Sequence, residues 1–272
     1  MIVSNQAGRE VTVPGKTISG SPERVVPFTF FSNALNEERH CYVVMPPGVT
    51  KNDRKKYPLL IVLHGRGRNA SSLLQQPVSR RALLDFGGVV LLVQGDDGWY
   101  IDSPARSRDR YGSMMTELIA AARKELPVSP SGAAWGIAGW SMGAYGAAMT
   151  AEAHPEWFSS AALLIGLLDY PRSGLPEGRS YPVVNDRFGS DPAVWARYNP
   201  IANVKKLSGM KLFMRTGTGA FDLVMNRNFK AEVEKANISC DYRELPGGHE
   251  FPLVCAVMHD VIDFMNRTLR HQ

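Results

Sequence analysis

Short, wholly apolar runs punctuate this chain. Leu59-Leu60-Ile61-Val62-Leu63, Val89-Val90-Leu91-Leu92-Val93 and Ala161-Ala162-Leu163-Leu164-Ile165 show no polar alternation, and Leu212-Phe213-Met214 follows the same style. Runs of this length suit strands buried on both faces. Between them the period changes. Tyr111, Met114, Met115, Leu118, Ile119 and Ala122 keep helical spacing, and Pro127 ends that helix. Residues 71–86, 221–236 and 252–269 read as further helices, and 240–245 alternates like a last strand. Before all of these, residues 25–31 and 41–45 are β-rich pieces separated by 33–39, which predicts antiparallel strands at one sheet edge. Repeated strand–helix units behind an antiparallel start predict an α/β fold: one mostly parallel, doubly wound sheet. No repeat, low-complexity tract or linker divides residues 1–272, so a single domain is expected. The irregular stretch 166–189, with Pro171, Pro176 and Pro182, is expected to form a small cap over the site.

Composition narrows the class only a little. Hydrophobic content of 44% and charged content of 21% are ordinary for a soluble globular protein. No stretch approaches the ~20 apolar residues a bilayer span needs. The start, Met1-Ile2-Val3-Ser4-Asn5-Gln6, shows neither a basic nor an apolar signal region, so a cytoplasmic location is expected unless an export signal has been removed. The net charge of +5 is scattered, with acidic residues interrupting the densest basic runs, which points away from nucleic acid. Cys41, Cys240 and Cys255 are far apart and lack metal-ligand spacing, so buried free thiols are expected.

Candidate chemistry begins at Gly139-Trp140-Ser141-Met142-Gly143. An apolar run, residues 133–138, precedes it and a small-residue helical stretch, 144–151, follows. Strand, sharp turn and helix are the context of a G-x-S-x-G nucleophile elbow. A serine hydroxyl is a poor nucleophile at neutral pH, so it needs a histidine to take its proton and a carboxylate to orient that histidine. His40 falls in an edge strand, His154 in a His-Pro step, His259 within the last helix and His271 at the terminus. His64 ends a buried strand, where its ring is expected to support the turn. His249 remains, in the glycine-rich loop Pro246-Gly247-Gly248-His249-Glu250-Phe251 after the last strand. In a parallel sheet such loops share the edge from which Ser141 emerges. Asp222 is the leading acid because it lies between Ser141 and His249 in the order the elbow requires. Asp169 is its rival and Asp186 a weaker third, and the lesser alternative for Asp222 is a helix N-cap. For an oxyanion hole, the backbone N–H of Met142 is one expected donor. Arg66 is the other, with Gly65 as its neighbour and alternative. Trp99, Tyr100, Trp140, Phe221 and Phe251 lie near this edge and either wall an acyl or alcohol pocket or pack in the core. One competitor shares the oxyanion loop: Gly65-Arg66-Gly67-Arg68-Asn69-Ala70 fits G-x-G-x-x-A, a dinucleotide-binding turn if a helix opens there.

With these residues in place, the chain resembles the esterase D branch of the α/β-hydrolases over roughly residues 28–264. The likeness is carried by Tyr57-Pro58-Leu59-Leu60-Ile61-Val62-Leu63-His64-Gly65, Trp99-Tyr100-Ile101-Asp102-Ser103-Pro104, the elbow, and Tyr242-Arg243-Glu244-Leu245-Pro246-Gly247-Gly248-His249. That branch includes S-formylglutathione hydrolases, tributyrin-type short-chain carboxylesterases, some feruloyl and acetyl esterases, and the mycolyltransferases. The short-chain esterases look most similar. The resemblance implies an α/β-hydrolase fold, a Ser–Asp–His hydrolase, and no metal or organic cofactor. Its partner would be a small ester, with no nucleic acid or membrane, and a homo-oligomer is compatible with it. Acyl transfer to an alcohol, and a silent fold kept for binding, are the competing uses. Relatives often carry a second glycine where this chain has Ala144. They also usually carry the acid two residues after a Gly-Thr step; here Gly217-Thr218 is followed by Gly219-Ala220-Phe221-Asp222, so alanine stands in that place.

Overall fold

The structure, a computed structural model, describes residues 24–269; the start of the chain and His271 lie outside them. Eight strands form one sheet in the order β1-β2-β4-β3-β5-β6-β7-β8. The strands are β1 Val25–Ser32, β2 Glu37–Val44, β3 Leu59–Leu63, β4 Val89–Val93, β5 Trp135–Trp140, β6 Ser160–Leu164, β7 Lys211–Gly217 and β8 Ser239–Leu245. The helices are α1 Pro77–Leu84, α2 Tyr111–Glu125, α3 Met142–Ala153, the short α4 Asn185–Phe188 and α5 Pro192–Trp195, α6 Leu223–Lys235 and α7 Phe251–Thr268. Among the described strands β1 with β2 and β2 with β4 pair antiparallel, and the other neighbours in the sheet pair parallel. The α/β class and the antiparallel start agree with the expectation from the apolar runs.

The continuous apolar strands are explained by two cores. In β3, Leu59, Ile61 and Leu63 face the core formed with α2, α3 and α6, while Leu60 and Val62 face the one formed with α1 and α7. Val89, Leu91 and Val93 divide from Val90 and Leu92 in the same way. A strand with period-two geometry and helices on both sides needs apolar residues at every position. Strand order reverses at β3, which lies between β4 and β5. The crevice at the carboxyl ends of these strands is where such sheets place ligands.

Three boundaries differ from expectation. β2 begins at Glu37, so residues 37–39, expected in the connection, pair with β1 instead. Residues 71–76 are turns, and α1 begins only at Pro77. Proline disfavours helical backbone in the residue before it, and Gln76 accordingly sits at φ −100°, ψ 123°. β5 starts later than the apolar run suggests because residues 132–134 form a 3-10 turn, whose Ala133 N–H donates to the Ser131 hydroxyl at 3.3 Å. All three cysteines are free; Cys41 and Cys255 are buried and Cys240 partly so. Among the described residues no helix is long and apolar enough to cross a membrane.

The segment at 166–189 is pinned by aromatic rings. Tyr170 and Phe188 bury themselves against Trp99 and Tyr145, with ring centroids 5.0 to 6.4 Å apart. Tyr145 belongs to α3, so this segment packs on the helix that follows the elbow.

The far end of α3 carries a liability. Glu152 is 3% exposed, and both of its carboxyl oxygens lack a hydrogen-bond partner among the described residues. Burial holds its pKa well above the usual 4.5, with Lys206 pulling weakly the other way. The folded protein therefore binds this proton more tightly than the unfolded chain does. The associated stability is present below the unfolded pKa and is lost as pH rises through the raised folded value. Glu152→Gln is thus expected to melt with the wild type near pH 4 and about 3 °C or more above it near pH 8. Equal melting temperatures at both pH values would contradict this.

Candidate active site

The elbow is built by close approach of backbones. A Cβ on Gly139 would lie 2.2 Å from the Gly143 carbonyl oxygen, and one on Gly143 would lie 2.1 Å from the Leu63 carbonyl oxygen. No side chain fits either place. Between them Ser141 adopts φ 56°, ψ −121°, a region that costs a non-glycine residue of order 1–3 kcal/mol. Its N–H donates to Leu164 O at 3.0 Å and its carbonyl accepts from Tyr145 N–H at 3.1 Å, so sheet and helix hold the strain together. Ser141 sits in the turn between β5, which ends at Trp140, and α3, which begins at Met142. The first N–H groups of a helix have no intrahelical acceptor and carry its positive dipole end.

His249 reaches Ser141 from the loop between β8 and α7. The serine hydroxyl lies 2.8 Å from His249 Nε2, and His249 Nδ1 lies 2.6 Å from Asp222 Oδ1. Asp222 occupies the N-cap position of α6 but makes no capping bond with its side chain. Its carboxylate turns inward and is fully buried. There Oδ2 accepts from the Thr216 hydroxyl at 2.7 Å and from Asn226 Nδ2 at 2.8 Å. A buried carboxylate with three donors is satisfied, and its one imidazole donor fixes the proton on Nδ1. Nε2 is then left as an acceptor facing the serine, an arrangement that can take a proton from the hydroxyl and return it.

The displaced aspartate reaches His249 because two loops are laced together. Thr218 N–H donates to Leu245 O at 2.8 Å, and Gly219 N–H donates to Gly247 O at 2.9 Å. A Cβ on Gly217 would lie 2.5 Å from that same Gly247 oxygen. The chain then turns through Ala220 N–H to Gly217 O at 3.1 Å before α6 begins. Asp222 enters from the helix start rather than from the loop itself.

The rival acids are engaged elsewhere. Asp169 accepts from Arg172, Asn199 and Asn228 at 2.8 to 3.0 Å. Asp186 pairs with Arg106. His64 serves the turn: its Nε2 accepts from Gly95 N–H at 3.0 Å, so Nδ1 carries the proton and donates to Gly65 O at 2.9 Å. Burial lowers its pKa. His40 is exposed beside Glu38, and His154 stacks on Trp157 with ring centroids 3.6 Å apart.

The five aromatic candidates separate. Trp99 and Tyr100 are core residues, 1% and 2% exposed, and the pocket role is corrected for both. Both hold positive φ of 57°. Tyr100 donates its hydroxyl to His64 O at 3.1 Å, and its ring fills the space where a Cβ on Gly95 or Gly146 would sit. They brace the turn from below. Trp140 is also buried; a Cβ on Gly65 would lie 2.7 Å from its Nε1, so the indole underlies the loop after β3. Its ring meets Phe251 at 5.5 Å. Phe251 is half-buried beneath the Arg68 guanidinium, and Phe221 lies 4.4 Å from the His249 ring. Phe221 and Phe251 alone of the five stand at the rim.

The glycine-rich loop after β3 leads into turns rather than a helix, so the dinucleotide reading lacks the helix N-terminus it needs. Arg66 and Gly65 sit in this loop, and Met142 is the first residue of α3. Among the described residues no group of three or more His, Cys, Asp or Glu could hold a metal ion. Three polar residues of the site carried no signal in the sequence pattern: Thr216, Asn226 and Tyr181. Asn226 stands one helical turn after Asp222, a spacing that places both on one face.

Comparison with known proteins finds likeness along most of the chain. A family model described as putative esterase matches residues 32–253. An acetyl esterase from Caldicellulosiruptor saccharolyticus is 22% identical over 265 residues, covering 89% of this chain and 98% of that protein. Among solved structures, a ferulic acid esterase superposes with a TM-score of 0.74 at 23% identity, covering 90% of this chain and 97% of that one. An S-formylglutathione hydrolase from Agrobacterium tumefaciens superposes with a TM-score of 0.75 at 20% identity, covering 90% and 95%. At these identities the structural likeness speaks for the fold.

Proposed function

Since the chain belongs to the putative esterase family, we propose that it is a serine carboxylesterase that hydrolyses short-chain acyl esters through an acyl-enzyme. The observation that carries this reading is the unbroken line from Asp222 Oδ1 to His249 to Ser141 Oγ, at 2.6 and 2.8 Å. Ser141 Oγ attacks the ester carbonyl carbon while His249 Nε2 takes its proton. The carbonyl oxygen becomes an oxyanion, held by the Met142 N–H at the start of α3 and the Arg66 N–H of the loop after β3. Collapse breaks the ester C–O bond, and the imidazolium gives its proton to the departing alkoxide. Water then attacks the acyl-enzyme with His249 again as base, releasing the carboxylic acid and restoring Ser141. Asp222 keeps the imidazole in its productive tautomer and stabilises the imidazolium.

Short acyl groups are favoured by the 22% identity to an acetyl esterase and by the likeness to the short-chain branch. The rim residues Phe221 and Phe251 are the groups offered to the acyl or alcohol part, with Trp140 packed beneath Phe251. A series of p-nitrophenyl esters from acetate to octanoate tests the substrate class. kcat/KM is expected to peak at acetate to butyrate and to fall about tenfold or more by octanoate, since excess methylenes must displace packed aromatic side chains. A rate rising through octanoate would overturn the short-chain reading.

A further inference from the structure

Tyr181 touches Arg66 and Phe221, which flank the triad, from a segment that contributes nothing to it. Its hydroxyl accepts from Arg66 Nη1 at 3.0 Å. Its ring stacks on Phe221, with centroids 5.5 Å apart and planes at 24°. Phe221 in turn lies over the His249 imidazole at 4.4 Å and immediately precedes Asp222. From behind, Trp99 supports the tyrosine at 6.3 Å. The same segment makes a second tie to the acid loop, where Arg179 Nη1 donates to Ala220 O.

Resting on the esterase reading above, we propose that Tyr181 is a positioning residue that fixes the Arg66 oxyanion donor and, through Phe221, seats the His249 ring. The oxyanion loop needs such an anchor. Residues 66–69 are exposed, and Gly67 stands at φ 69° with open space where a side chain would be. Within the loop the backbone is held by Arg68 N–H to Gly65 O at 3.1 Å. Its other hold on Arg66 is the pair with Asp97, whose Oδ1 accepts from Arg66 Nε at 2.9 Å. Both side chains of that pair are nearly half exposed, at 43% and 48%, and such pairs restrain little. The tyrosine hydroxyl supplies a second direction of restraint from a residue clamped by aromatic rings. Preorganisation is the point: a displacement of about 1 Å in a catalytic group can cost 100-fold in rate. Loosening a donor without deleting it should cost a fraction of that.

Tyr181→Phe removes the hydroxyl and keeps the ring. Its kcat on p-nitrophenyl acetate is expected to fall roughly three- to tenfold with KM within about twofold of wild type. The inhibition constant of phenylboronic acid, whose tetrahedral serine adduct places an oxygen at the oxyanion position, should rise by the same factor. A residue that only stabilises the fold would lower the melting temperature and move neither quantity. Unchanged kcat and boronate affinity, or changes in one without the other, would overturn the inference. Labelling with a fluorophosphonate separates this from failure of the parent reading. Stoichiometric labelling of Ser141 in both proteins, with unchanged kcat and boronate affinity, sinks the role of Tyr181 alone. A wild type that resists the probe sinks both.

Discussion

Ser141→Ala is expected to lower kcat on p-nitrophenyl acetate by roughly 10⁵- to 10⁶-fold, leaving the melting temperature within a few degrees of wild type. The loss is large because the covalent step disappears and the remaining members of the line have nothing to activate. What survives comes from binding and from the amides that hold the oxyanion. Stability should barely move because the strain at φ 56° belongs to the backbone and is shared by serine and alanine alike. The glycines at 139 and 143, where a Cβ would strike backbone atoms, are the positions that carry the folding constraint. Steady-state kinetics with a melting curve on the same sample check both halves. Retention of more than about one part in a thousand of kcat would remove Ser141 from the nucleophile's role.

Asp222→Asn is expected to lower kcat by about 10⁴-fold, and the reason is readable in the hydrogen bonds. Asp222 Oδ2 receives two donors, the Thr216 hydroxyl and Asn226 Nδ2. An asparagine in this place would keep its carbonyl oxygen toward those donors and turn its NH₂ toward His249 Nδ1. The imidazole would then carry its proton on Nε2 and could not accept from Ser141. The fold would persist while the tautomer was wrong. Asp169→Asn is the control: its carboxylate is taken by Arg172, Asn199 and Asn228, and kcat should stay within about twofold. If the two variants exchanged their effects, the acid would be Asp169 and the reading of the β7 loop would be wrong.

The fold was legible wherever the signal was local. Runs such as Val89–Val93, apolar at every position, announce a sheet covered on both faces, and the structure divides their side chains between two cores. The elbow was legible too, since glycines two residues either side of a serine describe a steric demand that the Gly139 and Gly143 contacts bear out. Less came through where distant segments decide the outcome. The helix expected from residue 71 starts at Pro77, a local cue outweighed by the apolar pattern around it. Trp99 and Tyr100 were open to a pocket or a core role because they sit in a loop. Tyr145, Tyr170 and Phe188, from three other places in the chain, enclose Trp99 instead. The shift of the aspartate to position 222 looked like a defect in the sequence pattern. It works geometrically because Gly219 and Gly247 tie two loops that lie far apart in sequence. Tyr181 had no local signature at all, since its meaning lies in Arg66 and Phe221, both distant along the chain.

One hydroxyl activated by one imidazole underlies everything said of this chain's chemistry, and a mechanism-based probe reads that activation directly. Incubation with a fluorophosphonate followed by intact-mass and peptide analysis should give a single adduct, located on Ser141, and none in Ser141→Ala. An unmodified protein, or an adduct on another residue in a sample that still hydrolyses esters, would contradict the account.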